Sequence, residues 1–556
     1  MRLTDHRRVT AEAERQVAKV WFAPSADRRS LLDRAHRGDV VGALGKVPSV
    51  DTGPRLSMRR KVATLLAIMG PGVIVMVADN DAGGIATYAQ AGQDFGFRLL
   101  WLVVVLAGVL LVNQEMVGRL GAVTGAGHAR LIYERFGRRW GSFALGDLLV
   151  VNFLIIVTEF IGIALGLGYF GVSREVSVPL AAVALIALPL TGSFRRWERA
   201  MYVFVASSFA VVPLLVLVHR SAKFSSLTVG HPQIASEGTV FVVIALIGTT
   251  VAPWQLFFQQ SNVVDKRITA RWLPYERVDT ALGMVFFVVV AIAVLAACAL
   301  AFSGTPLHGQ FVSAGTVAEG LRHRAGAWVG ALFAVVLING SILGAAAVTL
   351  STAYAIGEVR GTKHSLHRKW RDAPVFHGSY AALIAFAAAI VLIPRAPLGI
   401  VTTGVQVLAG VLLPSALVFL LLLCNDRSVL GPWVNPRWLN VVATSVVAVL
   451  LVLSGLLTVS TLFPQVAFGL LVTIVPVTCA AVVGALYGVR LSIDRASPQL
   501  DGALRDKAFW TMPSIETLSP PCRSVSRTVG LVVLRVYLVV AIVAVIVKVV
   551  RLITGS

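Results

Sequence analysis

Apolar runs of about twenty residues follow one another from about residue 60 to the end of this 556-residue chain. Each is long enough to cross a bilayer as a helix. Lipid offers backbone N–H and C=O groups no partner, so such runs fold as a bundle of helices rather than around a soluble core. Composition agrees: 56% of residues are hydrophobic, 14% are charged, and the mean hydropathy is +0.79. The expected spans lie at 62–91, 98–118, 144–171, 175–192, 199–219, 238–262, 279–303, 326–357, 378–394 and 398–424. Further apolar stretches lie near 438–459, 464–489 and 529–550. The fold class is all-α and polytopic, with 11–13 spans.

A net charge of +21 in a soluble protein would point to nucleic acid. Here the basic residues gather in alternate loops, at Arg130, Arg135, Arg138 and Arg139, at Arg195, Arg196 and Arg199, at Lys266, Arg267, Arg271 and Arg277, and again over 360–371. The intervening loops carry one or two each. That alternation follows the positive-inside pattern, so the N-terminus is expected in the cytoplasm and the chain in the cell membrane, with no nucleic-acid partner. The four cysteines are scattered without CxxC spacing, and no apolar core near Met1 suggests a cleavable leader.

Residues 1–58 read as a basic cytoplasmic extension, helical in part around Ala11–Phe22. Two sets of five helices follow, at 59–219 and 220–425; additional spans fill 426–490, a cytoplasmic linker 491–527, and a last apolar helix 528–556. The first helix of each set is interrupted. In the first set, Asp81 stands in the run Val77-Ala78-Asp79-Asn80-Asp81-Ala82-Gly83-Gly84, where Gly83 and Gly84 break the helix. In the second, Pro253 breaks the run Gly248-Thr249-Thr250-Val251-Ala252-Pro253-Trp254. Interrupted helices at matching positions of two halves point to an inverted-repeat transporter with a site at mid-membrane. A carboxylate at that depth marks an ion or substrate pathway, and a hard acid beside unwound carbonyls suits a divalent cation.

These residues resemble the NRAMP divalent-metal transporters. Gly70-Pro71-Gly72 and Asp81-Ala82-Gly83-Gly84-Ile85-Ala86-Thr87 are similar to that family's GPG…DPGNxAT. Asp426-Arg427, Leu430-Gly431 and Val434-Asn435-Pro436-Arg437-Trp438-Leu439-Asn440 look like its DRxxMGxxVNxxWLN stretch. The resemblance covers about 60–460. It implies a leucine-transporter-type fold of two inverted five-helix repeats, alternating access, and a metal held between the two broken helices by Asp81, the position of Gly84, the backbone at Thr249 and the position of Ala252.

The departures from that pattern shape the functional expectation. Gly84 replaces a ligating Asn, and Ala252-Pro253-Trp254 replaces MPH. Alanine removes a thioether suited to softer transition metals, and the lost side chains widen the cavity. Magnesium keeps much of its water shell and needs such room, a feature shared with the NRAMP-related magnesium transporter branch. The family's histidines on the second broken helix fall at Trp254 and Gln259, which do not titrate usefully, and the partner of Glu159 falls at Ile156. Uptake driven by the membrane potential without protons is therefore expected, Mg2+ preferred and Mn2+ tolerated.

Asp79 either joins the cavity or caps a half-helix. Gln255 and Gln259, at i and i+4, either orient metal-bound water or bond a neighbouring helix. Gln406 matches a family glutamine at the vestibule. Trp254 gates the inner path or packs between helices, and Glu159 is a former proton path or a buried structural acid. The alternative function is a proton-coupled Mn2+/Fe2+ transporter; a transport-inactive sensor or scaffold ranks below both. No catalytic constellation appears, so the chain is not expected to be an enzyme. Beyond the transported ion and the lipid bilayer no cofactor or partner is implied, and the oligomeric state stays open, a monomer included.

Overall fold

The computed structural model describes residues 38–51, 53–221, 237–393 and 398–462, together with a few isolated positions beyond. The expectations for Ala11–Phe22, 464–489, 491–527 and 529–550 lie on or almost entirely on residues outside that set. A two-stranded antiparallel hairpin, β1 (Val40–Val41) and β2 (Lys46–Val47), pairs Val40 with Val47. Everything after it is helical.

The first apolar segment is not one helix but three: α1 (Met58–Ile68), α2 (Pro71–Ala78) and α3 (Ala82–Phe95). This corrects the single span at 62–91. Gly70, at φ 149°, turns the chain by 50° between α1 and α2, and Pro71 starts the new helix where a missing N–H costs nothing. The first N–H groups there find an acceptor far along the chain. Asp279 takes Gly70 N and Val73 N at 3.1 and 3.2 Å on Oδ1, and Gly72 N at 2.7 Å on Oδ2. A carboxylate at a helix N-terminus satisfies orphan donors and complements the dipole.

The first repeat continues with α4 (Leu100–Thr124), a short α5 (His128–Phe136), α6 (Arg138–Tyr169), α7 (Arg174–Leu190) and the consecutive α8 (Phe194–Ser207) and α9 (Val211–Ser221). The second opens on α10 (Glu237–Thr250) and α11 (Pro253–Asp265), broken where Pro253 predicts. It runs on through α12 (Leu273–Phe302), α13 (Ala314–Ala325), α14 (Ala327–Arg360), α15 (Pro374–Val391) and α16 (Leu398–Cys424). After it come a single turn, α17 (Arg427–Leu430), and α18 (Arg437–Leu462). Short polar helices α5 and α13 carry no apolar run and leave no hydropathy signal.

Eight of the described helical segments are long and apolar enough to cross a membrane: six single helices, α4, α6, α12, α14, α15 and α16, and the consecutive pairs α8–α9 and α10–α11. The broken pair α2–α3, α7 and α18 pack with them. The most extensive packing joins α6 to α14, α12 to α2 and α3, and α10 to α16. Both broken helices therefore sit inside the bundle, the first packed on α12 of the other repeat and the second on α16 of its own and α4 of the other, while α7, α8–α9 and α15 are peripheral.

Candidate metal site at the two helix breaks

Between Ala78 and Ala82 the first broken helix has no helical hydrogen bonding, and Asp79, Asn80 and Asp81 fill the gap, all at most 2% exposed. Asp81 caps α3: its Oδ1 accepts Gly84 N at 2.7 Å. Glu159, reaching from α6, accepts Ala82 N on Oε2 at 3.0 Å, so two carboxyl groups share one helix N-terminus. They can approach because α14 carries Gly344 there. A Cβ at Gly344 would stand 2.7 Å from Asp81 Cβ and 2.9 Å from Glu159 Oε2.

The third acid, Asp79, accepts the Gln255 amide on Oδ1, while its Oδ2 has no partner. Gln255 in turn accepts from Gln114 Nε2 at 3.3 Å. Tyr88 Oη lies 3.4 Å from Thr250 Oγ1 beside this chain of amides. These three carboxyl groups are bonded by backbone N–H and an amide, not by Lys or Arg. Buried acids with orphaned oxygens and no basic partner leave a charge that only a cation or protons can offset.

The space beside Gly84 is where these oxygens meet. A Cβ at Gly84 would lie 2.7 Å from Asp79 O, 3.2 Å from Thr249 Oγ1 and 3.4 Å from Asp81 Oδ1. Thr249 Oγ1 is buried and unpartnered. One residue back, Gln406 of α16 presses its amide directly against Gly83, and neither amide atom of Gln406 has a hydrogen-bond partner. Gly83 and Gly84, expected to break the helix, instead lie in the first turn of α3, and the break falls at Asp79–Asp81; glycine at 83 and 84 is required by closeness. Among the described residues no three His, Cys, Asp or Glu side chains converge as a metal-binding group. The donors that do converge are carboxylate, carbonyl, hydroxyl and amide oxygens, the set hard cations take.

The structure brings Asp81, Gly84, Thr249, Asp79, Gln255, Gln406, Glu159 and Gly83 to this region. It places others elsewhere. Gln259 does not face it: its Nε2 donates to Glu276 Oε1 at 2.7 Å and Thr280 Oγ1 at 2.9 Å, in a separate polar cluster between α11 and α12. Trp254 is fully buried, its ring 6.0 Å from Phe258 and its carbonyl bonded by Ser351 Oγ at 2.8 Å. Ala252 and Pro253, by contrast, stay at the second break, as the N-cap and first residue of α11 three residues after Thr249, with no side-chain cap. Gln114 escaped the sequence reading, although the polar pair Asn113-Gln114 inside an apolar run was a signal. Gly344, in the run Gly344-Ala345-Ala346, reads from sequence as a close helix contact, and the structure packs it against Asp81 and Glu159.

The Nramp family model, described as natural resistance-associated macrophage protein-like, matches residues 72–460. This chain belongs to the NRAMP family. Among its relatives, the divalent metal cation transporter MntH 1 of Pseudomonas aeruginosa is 29% identical over 400 residues, which cover 68% of this chain and 88% of that one. MntH of Burkholderia ambifaria is 27% identical over 443 residues, covering 76% and 94%. A crystal structure of the Eremococcus coleocola manganese transporter, in complex with an aromatic bis-isothiourea substituted compound, superposes with a TM-score of 0.60 at 20% identity, over 80% of this chain and 98% of that one. That likeness gives this NRAMP protein the leucine-transporter-type fold, and the two interrupted helices are the first helices of its repeats.

Proposed function

We propose that this NRAMP protein carries divalent metal ions across the cell membrane by alternating access, with the ion seated at the two helix breaks. The observation that carries the reading is the meeting of Asp79 O, Thr249 Oγ1 and Asp81 Oδ1 around the empty side of Gly84. Asp81 supplies the charge, the unwound carbonyl and Thr249 replace waters of the hydration shell, and the free amide of Gln406 orients those retained. An ion entering a negative-inside cell gains about 4.6 kcal/mol per 100 mV, twice the single-charge value. The alternation of basic loops supports a cytoplasmic N-terminus.

The choice of ion has support on two sides. The names of the relatives, a manganese transporter and divalent metal cation transporters, support manganese, held above as the alternative, and by comparison that is the better supported reading. The residues at the site support magnesium with manganese tolerated: Ala252 offers no thioether, every converging donor is oxygen, and Trp254 and Gln259 carry no proton. Uptake of magnesium, manganese and calcium into proteoliposomes, with a pH dye inside, separates the two. Manganese uptake accompanied by internal acidification decides for the coupled manganese reading; magnesium uptake without it decides for the other. Asp81→Ala is expected to abolish both, and unchanged uptake in that variant would remove the site itself.

A further inference from the structure

The hairpin at 38–47 is seated on the end of the bundle from which α2 starts. Val40 and Val47 are buried in a small apolar cluster of their own, with Ala67 and Ile68 of α1, Ala122 of α4, Val263 of α11 and the Ile268–Leu273 turn. This cluster is separate from the main core. Two glycines make the seat close: a Cβ at Gly45 would lie 3.0 Å from Ala67 Cβ, and one at Gly42 would lie 3.0 Å from Lys266 Nζ.

Beneath the hairpin is a buried ion pair. Lys266 Nζ stands 2.5 Å from Glu198 Oε1, both side chains wholly inaccessible. The other oxygen of Glu198 accepts Ala43 N of the hairpin, and Lys266 also donates to Met69 O at the α1–α2 turn. Around the rim Arg267 reaches Asp39 O at 3.2 Å, and Arg271 reaches Asp51 O at 2.6 Å and Gly53 O at 2.8 Å. The hairpin thus meets three separate elements: the end of α1 through Ala67, α8 through Glu198, and the turn after α11 through Arg267, with Lys266 packed against Gly42. Arg271 holds the segment just after it. The first of these elements leads into α2, which ends at the break that holds Asp81. One oxygen of the buried Glu198 is satisfied by the hairpin, and removing it would expose a charged pair and strip a hydrogen bond.

We propose that residues 38–47 are a clasp on the cytoplasmic gate: docked, they hold α2 against α8 and α11 and close the exit from the metal site, and the ion leaves only when they undock. The proposal rests on the alternating-access reading above. Its test reads backbone exchange separately from metal movement. Hydrogen–deuterium exchange is measured on the full-length protein in nanodiscs, for wild type, Gly42→Val, which crowds the seat against Ala67, and Asp39→Asn, an exposed change that loosens the hairpin's own bonds to Lys46 and Ser49. Initial metal uptake is measured on the same proteins. Exchange in 38–47 is expected to rise at least tenfold in Gly42→Val and threefold in Asp39→Asn. Exchange in 70–78 should rise with it, and uptake should quicken at least threefold. Free exchange in 38–47 with 70–78 still protected and uptake at the wild-type rate would overturn the clasp. So would unchanged protection of 38–47 in both variants, since the named contacts would then not be what holds it. A wild-type protein that moves no metal defeats the transport reading and leaves the exchange of 70–78 to decide the clasp.

Discussion

Replacing Gly84 by alanine puts one carbon into the space on which Asp79 O, Thr249 Oγ1 and Asp81 Oδ1 converge, at 2.7, 3.2 and 3.4 Å. The first distance is below any ordinary carbon–oxygen contact, so the carbonyl of Asp79 must move by a few tenths of an ångström, away from the ion it faces. Loss of one oxygen to a charged partner is worth roughly 1.5–3 kcal/mol. At about 1.4 kcal/mol per decade, that raises KM for metal about 10- to 150-fold. Stability should fall modestly: the overlap with a backbone oxygen costs about 1–3 kcal/mol, offset in part by alanine, the better helix former in the first turn of α3 by up to about 1 kcal/mol. The assay therefore has two arms: metal uptake against concentration in proteoliposomes, and a thermal unfolding midpoint in detergent. A strongly weakened KM in a folded protein with a modestly lowered midpoint is the expected pair. Wild-type KM in a folded Gly84→Ala protein would show that no ion sits beside residue 84, and the placement of the site would be wrong.

Thr249→Val removes a buried oxygen that has no protein partner, so the fold loses no bond while KM should rise about tenfold; Thr249→Ser should stay within about twofold of wild type, both read by uptake. Gly344→Ala wedges Asp81 from Glu159 and should lower the unfolding midpoint as overpacking of about 1–3 kcal/mol, with uptake lost. Lys266→Met leaves Glu198 buried without its cation and should cost about 3–5 kcal/mol in unfolding experiments, most of it recovered in the double variant Lys266→Met with Glu198→Leu. Asp39, held down to about 2 by Lys46 and by Ser49, is depressed below its unfolded value, so its contribution to hairpin order is whole above about pH 4 and fades as pH falls through 2. A carbon-13 titration of that carboxyl group checks it; a midpoint near 4 would show that the Lys46 contact does not form.

Legibility from sequence followed the physics of each signal. The break in the second helix was legible because Pro253 acts locally, and Asp81 because a charge in an apolar run is conspicuous; Gly83-Gly84 marked only the neighbourhood of the first break, since both lie inside α3 and the unwound residues are Asp79, Asn80 and Asp81. The bend at Gly70 was carried by a local signal too, Gly-Pro, but the apolar pattern runs unbroken across it and suggested one long span. Gln259 misled for a different reason. Its spacing from Gln255 puts both on one face only if α11 presents that face to a single neighbour, whereas Gln255 meets α2 and α4 and Gln259 meets α12. Gly344 and the hairpin seat depend on residues more than 150 positions apart, and no local pattern announces which residues meet there.

Glycine at 83, 84 and 344 serves one end. Each gives a side chain or carbonyl from another element the room to reach the break: Gln406 at Gly83, Asp79 O at Gly84, Asp81 with Glu159 at Gly344. The proposed metal site is shaped as much by missing side chains as by those present. A site bounded by backbone and by side-chain oxygens has few groups that could strip an ion of its water, and its acids already spend part of their bonding on helix N–H groups. Such a site discriminates by charge and by the size of a partly hydrated ion rather than by ligand softness. Introducing the missing thioether should therefore change selectivity more than rate. Ala252→Met is expected to raise cadmium or manganese uptake relative to magnesium at least tenfold in competition assays, with total flux within about threefold. Equal competition profiles for Ala252→Met and wild type would place residue 252 away from the ion and return the question of selectivity to Gly84 and Thr249.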